Sequence, residues 1–410
     1  MRVVTVEELT ARLATIPGGE PRVVVSGNYA TPTVLLGALA AALERCRVFA
    51  LGARPGWTDH PGFIHETPFV GPGVRHDPGL DYLPMRLSLV PRLFDALRPV
   101  DAVLVHTSLP RNGRVSLGTE VNILPAAIER VRSRSGLVVA QLNPAMPYTF
   151  GDGEIPTEWI DLAVEVDEPL SSPLGRDPTA DELVIGGQVA RMATDGATLQ
   201  LGIGSIPDVA ATLLTGRRHL GIWSEMISDG ALVLEQAGAL DPSRPVRASF
   251  LVGTPELYAW ADTNPRLRMT RTEIANDPAR IAANPAMLSI NMALQVDLHA
   301  QVNASHVGGA VHSGFGGQPD FVAGALHSPG GHAVVVLHSW HGPTDSSCVV
   351  PVLTEPVTSF QHTAVVSEQG CADIFGRSAR AQARLLIDQV AHPRARDQLH
   401  RAASHEPVRA

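Results

Sequence analysis

The chain has 410 residues, 44% hydrophobic and 18% charged, a composition typical of a globular protein whose length predicts two domains. Its net charge of −9 at pH 7 argues against a nucleic-acid-binding face, which needs clustered cations. All 32 cations are arginines, since the sequence contains no lysine, and this excludes Schiff-base chemistry through lysine and the lysine of a P-loop.

The first half of the chain alternates strand-like and helix-like segments. Short apolar runs predict buried strands at residues 22–25, 47–51, 103–106 and 137–142. Apolar residues at helical spacing predict helices at 33–44 and 126–133. Because β and α segments alternate, the sequence favours an α/β fold with mostly parallel sheets covered by helices.

A proline-rich acidic passage at 165–177 separates the two halves, and we expect one α/β domain over 1–175 and a second over 176–410. A helix is predicted at 179–192, with Asp181 in its first turn. Further apolar runs predict strands at 199–201, 248–252, 289–292, 333–337 and 364–366. The segment 379–387 reads as a helix, and the polar tail 392–410 is expected to fray.

A glycine-rich turn, GIGSIPD at 202–208, stands between an apolar strand and a predicted helix. Its glycines allow a ligand to approach the backbone, and the helix N-terminus favours phosphate, although an ordinary βα turn has the same residues. Downstream, Glu225 lies in the polar loop SEMISDG. It is either a solvated loop acid or a covalent nucleophile toward a thioester held against it.

Two later segments can also carry chemistry. In SGFGGQPDF, at 313–321, three glycines can turn backbone N–H groups toward one oxyanion, or simply form a tight turn. In VVSEQGCADIFGRS, at 365–378, Glu368 is either a structural acid paired with Arg377 or a second active-site carboxylate. The neighbouring Cys371 reads as a buried thiol, because no His/Asn pattern accompanies it.

Other sequence features indicate where the protein acts and which chemistry it lacks. Three scattered cysteines without CxxC spacing fit a reducing compartment, and the charged N-terminus lacks the apolar core of a signal peptide. Apolar runs are too short to span a bilayer, so a cytoplasmic protein without a membrane partner is expected. The histidine spacing matches no zinc motif, which predicts no metal site, and no GxSxG motif is present.

The order and wording of these landmarks resemble the acetyl-CoA hydrolase/transferase family, which includes the 4-hydroxybutyrate CoA-transferases. GIGSIPD, GIWSEMISDG, SINMALQVDLHAQVNASHVGG, SGFGGQPDF and VVSEQGCADIFGRS follow the family's run of segments. In the N-terminal half, PFVGPGVR, RVSLGTEVN and QLNPAMPYTFGD are also similar to family segments. The resemblance therefore covers nearly the whole chain.

This resemblance implies two CoA-transferase-type α/β domains with the active site in the cleft between them. It also implies a ping-pong mechanism in which Glu225 forms an acyl-glutamyl anhydride and then a glutamyl-CoA thioester. The implied catalytic residues are Glu225, Gly317 and Glu368. The implied CoA-binding residues are Gly202, Ile203, Gly204, Ser205, Ile206, Gly314, Gly316 and Gln318. The resemblance also implies that no cofactor is permanently bound, because coenzyme A arrives as the acyl-CoA substrate.

The function expected from the resemblance is transfer of CoA from a short-chain acyl-CoA (acetyl, butyryl or 4-hydroxybutyryl type) to a small carboxylate, by a homodimer or higher homo-oligomer. Hydrolysis of acyl-CoA through the same glutamate and non-catalytic CoA binding are the alternatives. Three departures from the family's sequence pattern bear on the choice between these functions. Gln295 replaces a family glutamate, Pro329 stands where some members carry a lysine, and HSWHGPTDSSC at 338–348 replaces a Ser-Arg-containing stretch. The last two put recognition of the CoA phosphates in doubt, because a lost cation removes a charge-assisted hydrogen bond.

Overall fold

A computed structural model describes residues 1–57, 59–95, 97–173, 175–202, 204–357 and 361–405. The chain forms two compact units. Unit 1 contains residues 1–174 and 245–276, and unit 2 contains residues 175–244 and 277–410. The predicted domain boundary near residue 175 coincides with the first change between the units, but residues 245–276 belong to unit 1. The domain limits themselves remain a prediction.

The helices and strands follow one another in short alternating pieces. In the first 173 residues they are β1 (Arg2–Val3), α1 (Val6–Leu13), β2 (Arg22–Val25), α2 (Thr33–Ala42), β3 (Cys46–Phe49), β4 (Phe63–Thr67), β5 (Leu80–Tyr82), β6 (Ala102–Thr107), β7 (Arg114–Ser116), α3 (Leu124–Ser133), β8 (Leu137–Leu142), β9 (Glu154–Pro156) and β10 (Leu162–Glu165). Between residues 175 and 276 they are α4 (Ala180–Ala190), β11 (Thr198–Gln200), α5 (Ser205–Leu213), β12 (Gly221–Ile222), β13 (Met226–Ile227), α6 (Asp229–Gln236), β14 (Val246–Ala248), β15 (Phe250–Leu251), α7 (Pro255–Ala261), β16 (Leu267–Met269) and α8 (Thr272–Ala275).

From residue 277 onward they are α9 (Pro278–Ala282), β17 (Met287–Met292), β18 (Gln295–Asp297), β19 (Val302–Asn303), β20 (His306–Val307), β21 (Ala310–Val311), α10 (Gln318–His327), β22 (His332–Val336), β23 (Trp340–His341), β24 (Ser346–Ser347), β25 (Val349–Val350), β26 (Ala364–Ser367), β27 (Gly370–Asp373), α11 (Ala379–Leu385) and α12 (Pro393–His405). The predicted α/β class is confirmed. In the described part of the chain, no helix is both long and apolar enough to cross a membrane.

Unit 1 is built on an eight-stranded parallel sheet in the order β1-β10-β8-β6-β2-β3-β4-β5. Every residue of β6 and β8 is buried, as expected for central strands covered on both faces. Strands β3, β4 and β5 follow β2 on one side of it in the sheet, whereas β6, β8 and β10 follow on the other side. The point between β2 and β6 is therefore a topological switch point, where α/β sheets open a crevice for ligands.

Unit 2 is built on a six-stranded sheet in the order β12-β11-β17-β22-β26-β27. The first five strands are parallel, and β27 returns antiparallel to β26 in a hairpin. All five parallel strands consequently end at the same edge of the sheet.

Several predicted segments match the structure, and the differences have physical causes. The strands at 22–25 and 137–142 are confirmed to the residue, whereas the helix at 33–44 ends at Ala42 because Leu43 is extended. The expected frayed tail at 392–410 is wrong for 393–405, which forms α12. Ala395 and Leu399 are buried in the core of unit 2, and this packing holds the polar helix in place.

A buried histidine in unit 1 makes the stability of the fold depend on pH. Burial lowers the pKa of His106 to about 4, and its ring contacts the Asn143 side-chain amide at 3.1 Å. The native ring stays neutral until about pH 4, whereas the unfolded chain takes up the proton near its ordinary pKa of 6.5. Stability is therefore lost as pH falls through this window, with about 2 kcal/mol removed between pH 7 and pH 5. Urea denaturation at both pH values should show a smaller loss for His106→Gln, and an equal loss would contradict this assignment.

Candidate active site

The loops that follow the parallel strands of unit 2 meet at one edge of its sheet. We call this the carboxyl edge of unit 2. The N-terminus of α5 lies there because α5 directly follows β11, and the N-terminus of α10 lies there because α10 runs back to the start of β22. The segments at this edge are 201–202, 204–205, 223–228, 291–293, 314–318, 337–339 and 367–369. In α/β sheets this edge is the usual place for a ligand.

The predicted glycine turn stands at the N-terminus of α5. Gly204 is the residue that caps this helix, and its φ of 122° is a conformation that side-chain-bearing residues rarely adopt. Ser205 begins the helix, and its hydroxyl accepts a hydrogen bond from Arg176 at 3.2 Å. Gly202 and Ile206 flank the same turn, and Ile203 lies outside the described residues. The turn therefore brings a hydroxyl and the Arg176–Glu182 ion pair to one helix N-terminus.

Glu225 is held beside this glycine turn by its two chain neighbours. The Ser224 hydroxyl accepts from the Leu201 N–H at 3.3 Å and lies 2.9 Å from the Leu201 carbonyl oxygen. Met226 forms a β-bridge with Leu201, the residue that precedes Gly202. Glu225 itself is half-buried at the bend between β12 and β13. The fold thus fixes its backbone next to the turn from both sides.

A second link ties the Glu225 loop to helix α5. Ser228 donates a hydrogen bond to the Asp208 carboxylate at 2.5 Å, in the first turn of the helix. Burial raises the pKa of Asp208, and the charge of Asp229 adds to this rise. Since the link joins two segments of the same edge, the loop has little freedom to move away from the helix N-terminus.

The third strand end contributes a residue that the sequence reasoning did not single out. Asn291 lies near the end of β17, and its amide donates to the Ser289 hydroxyl at 2.8 Å. The side-chain amide oxygen of Gln200 accepts from the Ser289 hydroxyl at 2.7 Å, so side chains of β11 and β17 are hydrogen-bonded at this edge. In the sequence, Asn291 could have been noticed only as a single amide side chain directly after a buried apolar run.

The glycines of SGFGGQPDF form the N-terminus of α10. Gly314 and Gly316 have positive φ values of 101° and 56°, and Gly317 caps the helix. Among the described residues, the N–H groups of Gly316 and Gly317 donate to no backbone carbonyl. The side-chain amide nitrogen of Gln318 is buried and has no acceptor within the described ranges. This helix end therefore presents donors that an anionic group can use.

Glu368 stands in the two-residue turn between β26 and β27, and it contacts Ser339 at the end of β22. The Ser339 N–H donates to its carboxylate at 3.0 Å, the Ser339 hydroxyl donates to the second oxygen, and the Gln369 amide donates at 3.0 Å. Burial raises the pKa of Glu368, but these hydrogen bonds lower it further, so that it lies below its ordinary value. The carboxylate is therefore ionised at neutral pH.

Of the two alternatives for Glu368, the ion pair with Arg377 is not found among the described residues. The Arg377 guanidinium lies 3.9 Å from Asp373, four residues earlier, while the Ser339 backbone and hydroxyl satisfy Glu368. Burial, followed by the charge of Asp373, raises the pKa of the Cys371 thiol, which agrees with an unreactive cysteine. Across the described ranges, no group of three or more histidine, cysteine, aspartate or glutamate side chains is arranged to hold a metal ion.

The sequence departures lie at different places in unit 2. Pro329 follows the C-terminal end of α10, about 15 Å along the helix from the Gly317 end, because ten residues rise 1.5 Å each. Gln295 begins β18 and pairs in register with Asn303. In the 338–348 hairpin, Arg394 stacks on the Trp340 ring at 4.4 Å and pairs with Asp345 at 2.9 Å. A lysine at position 329 would therefore have stood away from the carboxyl edge.

Two family models match the chain. The model described as acetyl-CoA hydrolase/transferase N-terminal domain matches residues 50–172, and the model described as acetyl-CoA hydrolase/transferase C-terminal domain matches residues 253–403. The two matches together cover more than half of the chain, and residues 173–252, which contain GIGSIPD and Glu225, lie between them.

Individual proteins are similar over almost the full length. The 4-hydroxybutyrate coenzyme A transferase of Clostridium kluyveri is 35% identical, over 97% of this chain and 96% of that protein. The crystal structure of RipA from Yersinia pestis gives a TM-score of 0.90 at 27% identity, covering 98% of this chain and 97% of that one. A 4-hydroxybutyrate CoA-transferase structure from Porphyromonas gingivalis gives 0.81 at 29% identity, covering 98% and 96%.

Proposed function

Because the chain belongs to the acetyl-CoA hydrolase/transferase family, we propose that it transfers CoA from a short-chain acyl-CoA to a carboxylate acceptor, with Glu225 as the covalent nucleophile. The observation that carries this proposal is the position of Glu225, which two neighbouring residues hold beside the N-terminus of α5. A fixed carboxylate next to a helix N-terminus, where negative charge is stabilised, supports attack on a bound thioester.

In the proposed first half-reaction, a Glu225 oxygen attacks the thioester carbonyl carbon. The carbon–sulfur bond breaks, CoA leaves as the thiolate, and an acyl-glutamyl anhydride remains. The thiolate then attacks the glutamyl carbonyl, which releases the acyl group as a free carboxylate and leaves CoA attached to Glu225. An acceptor carboxylate runs the same two steps in reverse, so the enzyme returns to its starting state with no proton or electron left over.

The residues around Glu225 have complementary proposed roles. Each attack produces an oxyanion. The N–H groups of Gly316 and Gly317 and the side-chain amide of Gln318, for which the described residues offer no backbone carbonyl or side-chain acceptor respectively, are donors of the kind that stabilise one. Ionised Glu368, held by Ser339, orients substrate at the end of β26. Removing water from such a site favours transfer over hydrolysis.

The N-terminus of α5 is a proposed contact for the CoA substrate. Gly202, Gly204, Ser205 and Ile206 would carry the contacts, together with Gly314 before the N-terminus of α10. Arg176 bonds Ser205 but is already paired with the Glu182 carboxylate, so it adds no net positive charge at this helix end. CoA is a substrate in this proposal, and the protein works as a homo-oligomer.

A mass-spectrometric experiment tests the proposal. The protein is incubated with acetyl-CoA or butyryl-CoA alone, and the peptide that contains Glu225 is examined for attached CoA. We expect the adduct, followed by new acyl-CoA when acetate, butyrate or 4-hydroxybutyrate is added. Accumulation of free CoA and acid would instead identify a hydrolase, and absence of both adduct and turnover would indicate a non-catalytic CoA-binding protein.

A further inference from the structure

An exposed methionine stands at the carboxyl edge of unit 2. Met292 is the last residue of β17, and it is 44% exposed. Of the large apolar side chains that are exposed in the described part of the chain, Met292 alone lies in the segments of this edge. Ligand sites are lined largely by apolar side chains, so Met292 is a candidate contact for an apolar part of the substrate.

Strand alternation places Met292 on the opposite face of the sheet from Asn291. Met287 shares a buried cluster with Phe321 of α10, so Asn291, four residues further along β17, faces α10 as well. Met292 is therefore directed to the other face. A Cβ added at Gly204 would stand 3.5 Å from the Met292 sulfur, which places the thioether at the N-terminus of α5.

Glu225 and Met292, both in unit 2, flank this helix end from two sides. Strand β11, which leads into α5, lies between β12 and β17 in the sheet. Each of the two residues lies three positions beyond a residue that pairs with β11. Their strand ends are two spacings of about 4.8 Å apart, about 10 Å in all. The Met292 side chain covers part of this distance, so a short chain on a thioester attacked by Glu225 can reach it.

We propose that Met292 determines specificity by contacting the acyl chain of the donor, and that uncharged chains of the propionyl or butyryl type are preferred to acetyl. This inference rests on the proposed function. A methionine side chain is flexible and polarisable, so it packs against apolar groups of several shapes. Acetyl has only a methyl group beyond the carbonyl, whereas butyryl adds two methylenes that this contact removes from water. A charged chain end would lose hydration against the thioether without gaining a partner.

The test measures kcat/KM for butyryl-CoA and for acetyl-CoA with propionate as the common acceptor, so that both reactions yield propionyl-CoA. Wild-type protein should prefer butyryl-CoA. Met292→Gln keeps the length of the side chain but places an amide against the acyl chain. It should lower the butyryl-to-acetyl ratio by about 10-fold, since each buried methylene is worth about fourfold.

Two further variants make this test specific. Met292→Leu keeps an apolar side chain of similar volume and should retain most of the preference for butyryl-CoA. Leu213→Gln is the matched control, because Leu213 is also an exposed apolar residue of unit 2 but lies at the opposite end of α5. Its butyryl-to-acetyl ratio should equal that of the wild type. Thermal unfolding of each variant checks that the fold is intact.

The outcomes separate this inference from the proposed function. A wild-type preference for acetyl-CoA, or an unchanged ratio in a folded Met292→Gln variant, would overturn the role of Met292 while the Glu225 adduct still formed. An equal loss with both donors would also overturn it, because Met292 would then contact the CoA portion that the two donors share. Absence of the adduct in wild-type protein would instead remove the proposed function itself.

Discussion

Glu225→Ala is expected to reduce CoA transfer by about 10⁴-fold or more, the scale seen when a covalent nucleophile is removed. Alanine has no atom that can attack the thioester, so neither the anhydride nor the glutamyl-CoA thioester can form. The fold should be unaffected, because the Ser224 and Met226 contacts that fix the loop do not use the Glu225 side chain. Steady-state kinetics and mass spectrometry of the CoA adduct measure both consequences.

Two further variants make the Glu225 experiment specific. Glu225→Asp keeps a carboxylate but withdraws it by one methylene, and a misplacement of about 1 Å costs on the order of 10²-fold. Glu235→Gln removes another carboxylate of unit 2, ten residues along on α6, and should leave transfer unchanged. Turnover in Glu225→Ala close to that of the wild type would show that the nucleophile is elsewhere.

The fold class could be predicted because each element contains its own local signal, but some elements depend on distant partners. Strand β4 has the sequence FIHET, in which buried His65 and Glu66 break the apolar pattern. Both side chains can be buried because Asp77 pairs with His65 and three arginines elsewhere in the chain pair with Glu66. No local sequence pattern reveals these partners. Helix α12 was missed for a related reason, since only its packing against the core of unit 2 accounts for its order.

The candidate site likewise contains some residues that local sequence can identify and others that it cannot. The glycine turns and Glu225 could be selected locally, because glycine and isolated acids after strands are unusual enough to notice. Asn291 and Ser339 are ordinary polar residues in the sequence, and they become candidates only because the strand order places their ends at one edge. Conversely, Pro329 looked important beside the glycine loop, yet α10 carries it to the opposite end. Pro329 is close to the glycine loop in the sequence, but the length of α10 separates the two in space.

Glu368→Gln is expected to lower kcat/KM by about 10²-fold, comparable to the loss of one preorganised polar group at a reaction centre. The substitution keeps the size of the side chain but removes its charge. It also offers an amide nitrogen where the Ser339 N–H needs an acceptor, so the turn between β26 and β27 loses part of its anchoring. Glu355→Gln is a suitable comparison, since Glu355 is half-buried in the same unit and bonds the Gly309 N–H in another hairpin.

Ser339→Ala distinguishes an electrostatic role of Glu368 from a purely structural one. The Ser339 hydroxyl donates to the Glu368 carboxylate and lowers its pKa against the opposing effect of burial. Without that hydroxyl the pKa rises, so ionised Glu368 is lost at a higher pH as the solution is acidified. The acid limb of the kcat/KM profile should therefore move to higher pH, whereas the plateau near pH 8 should fall less than in Glu368→Gln. An acid limb that stays in place would mean that ionisation of Glu368 does not control the reaction, and its carboxylate would then serve to hold the β26–β27 turn.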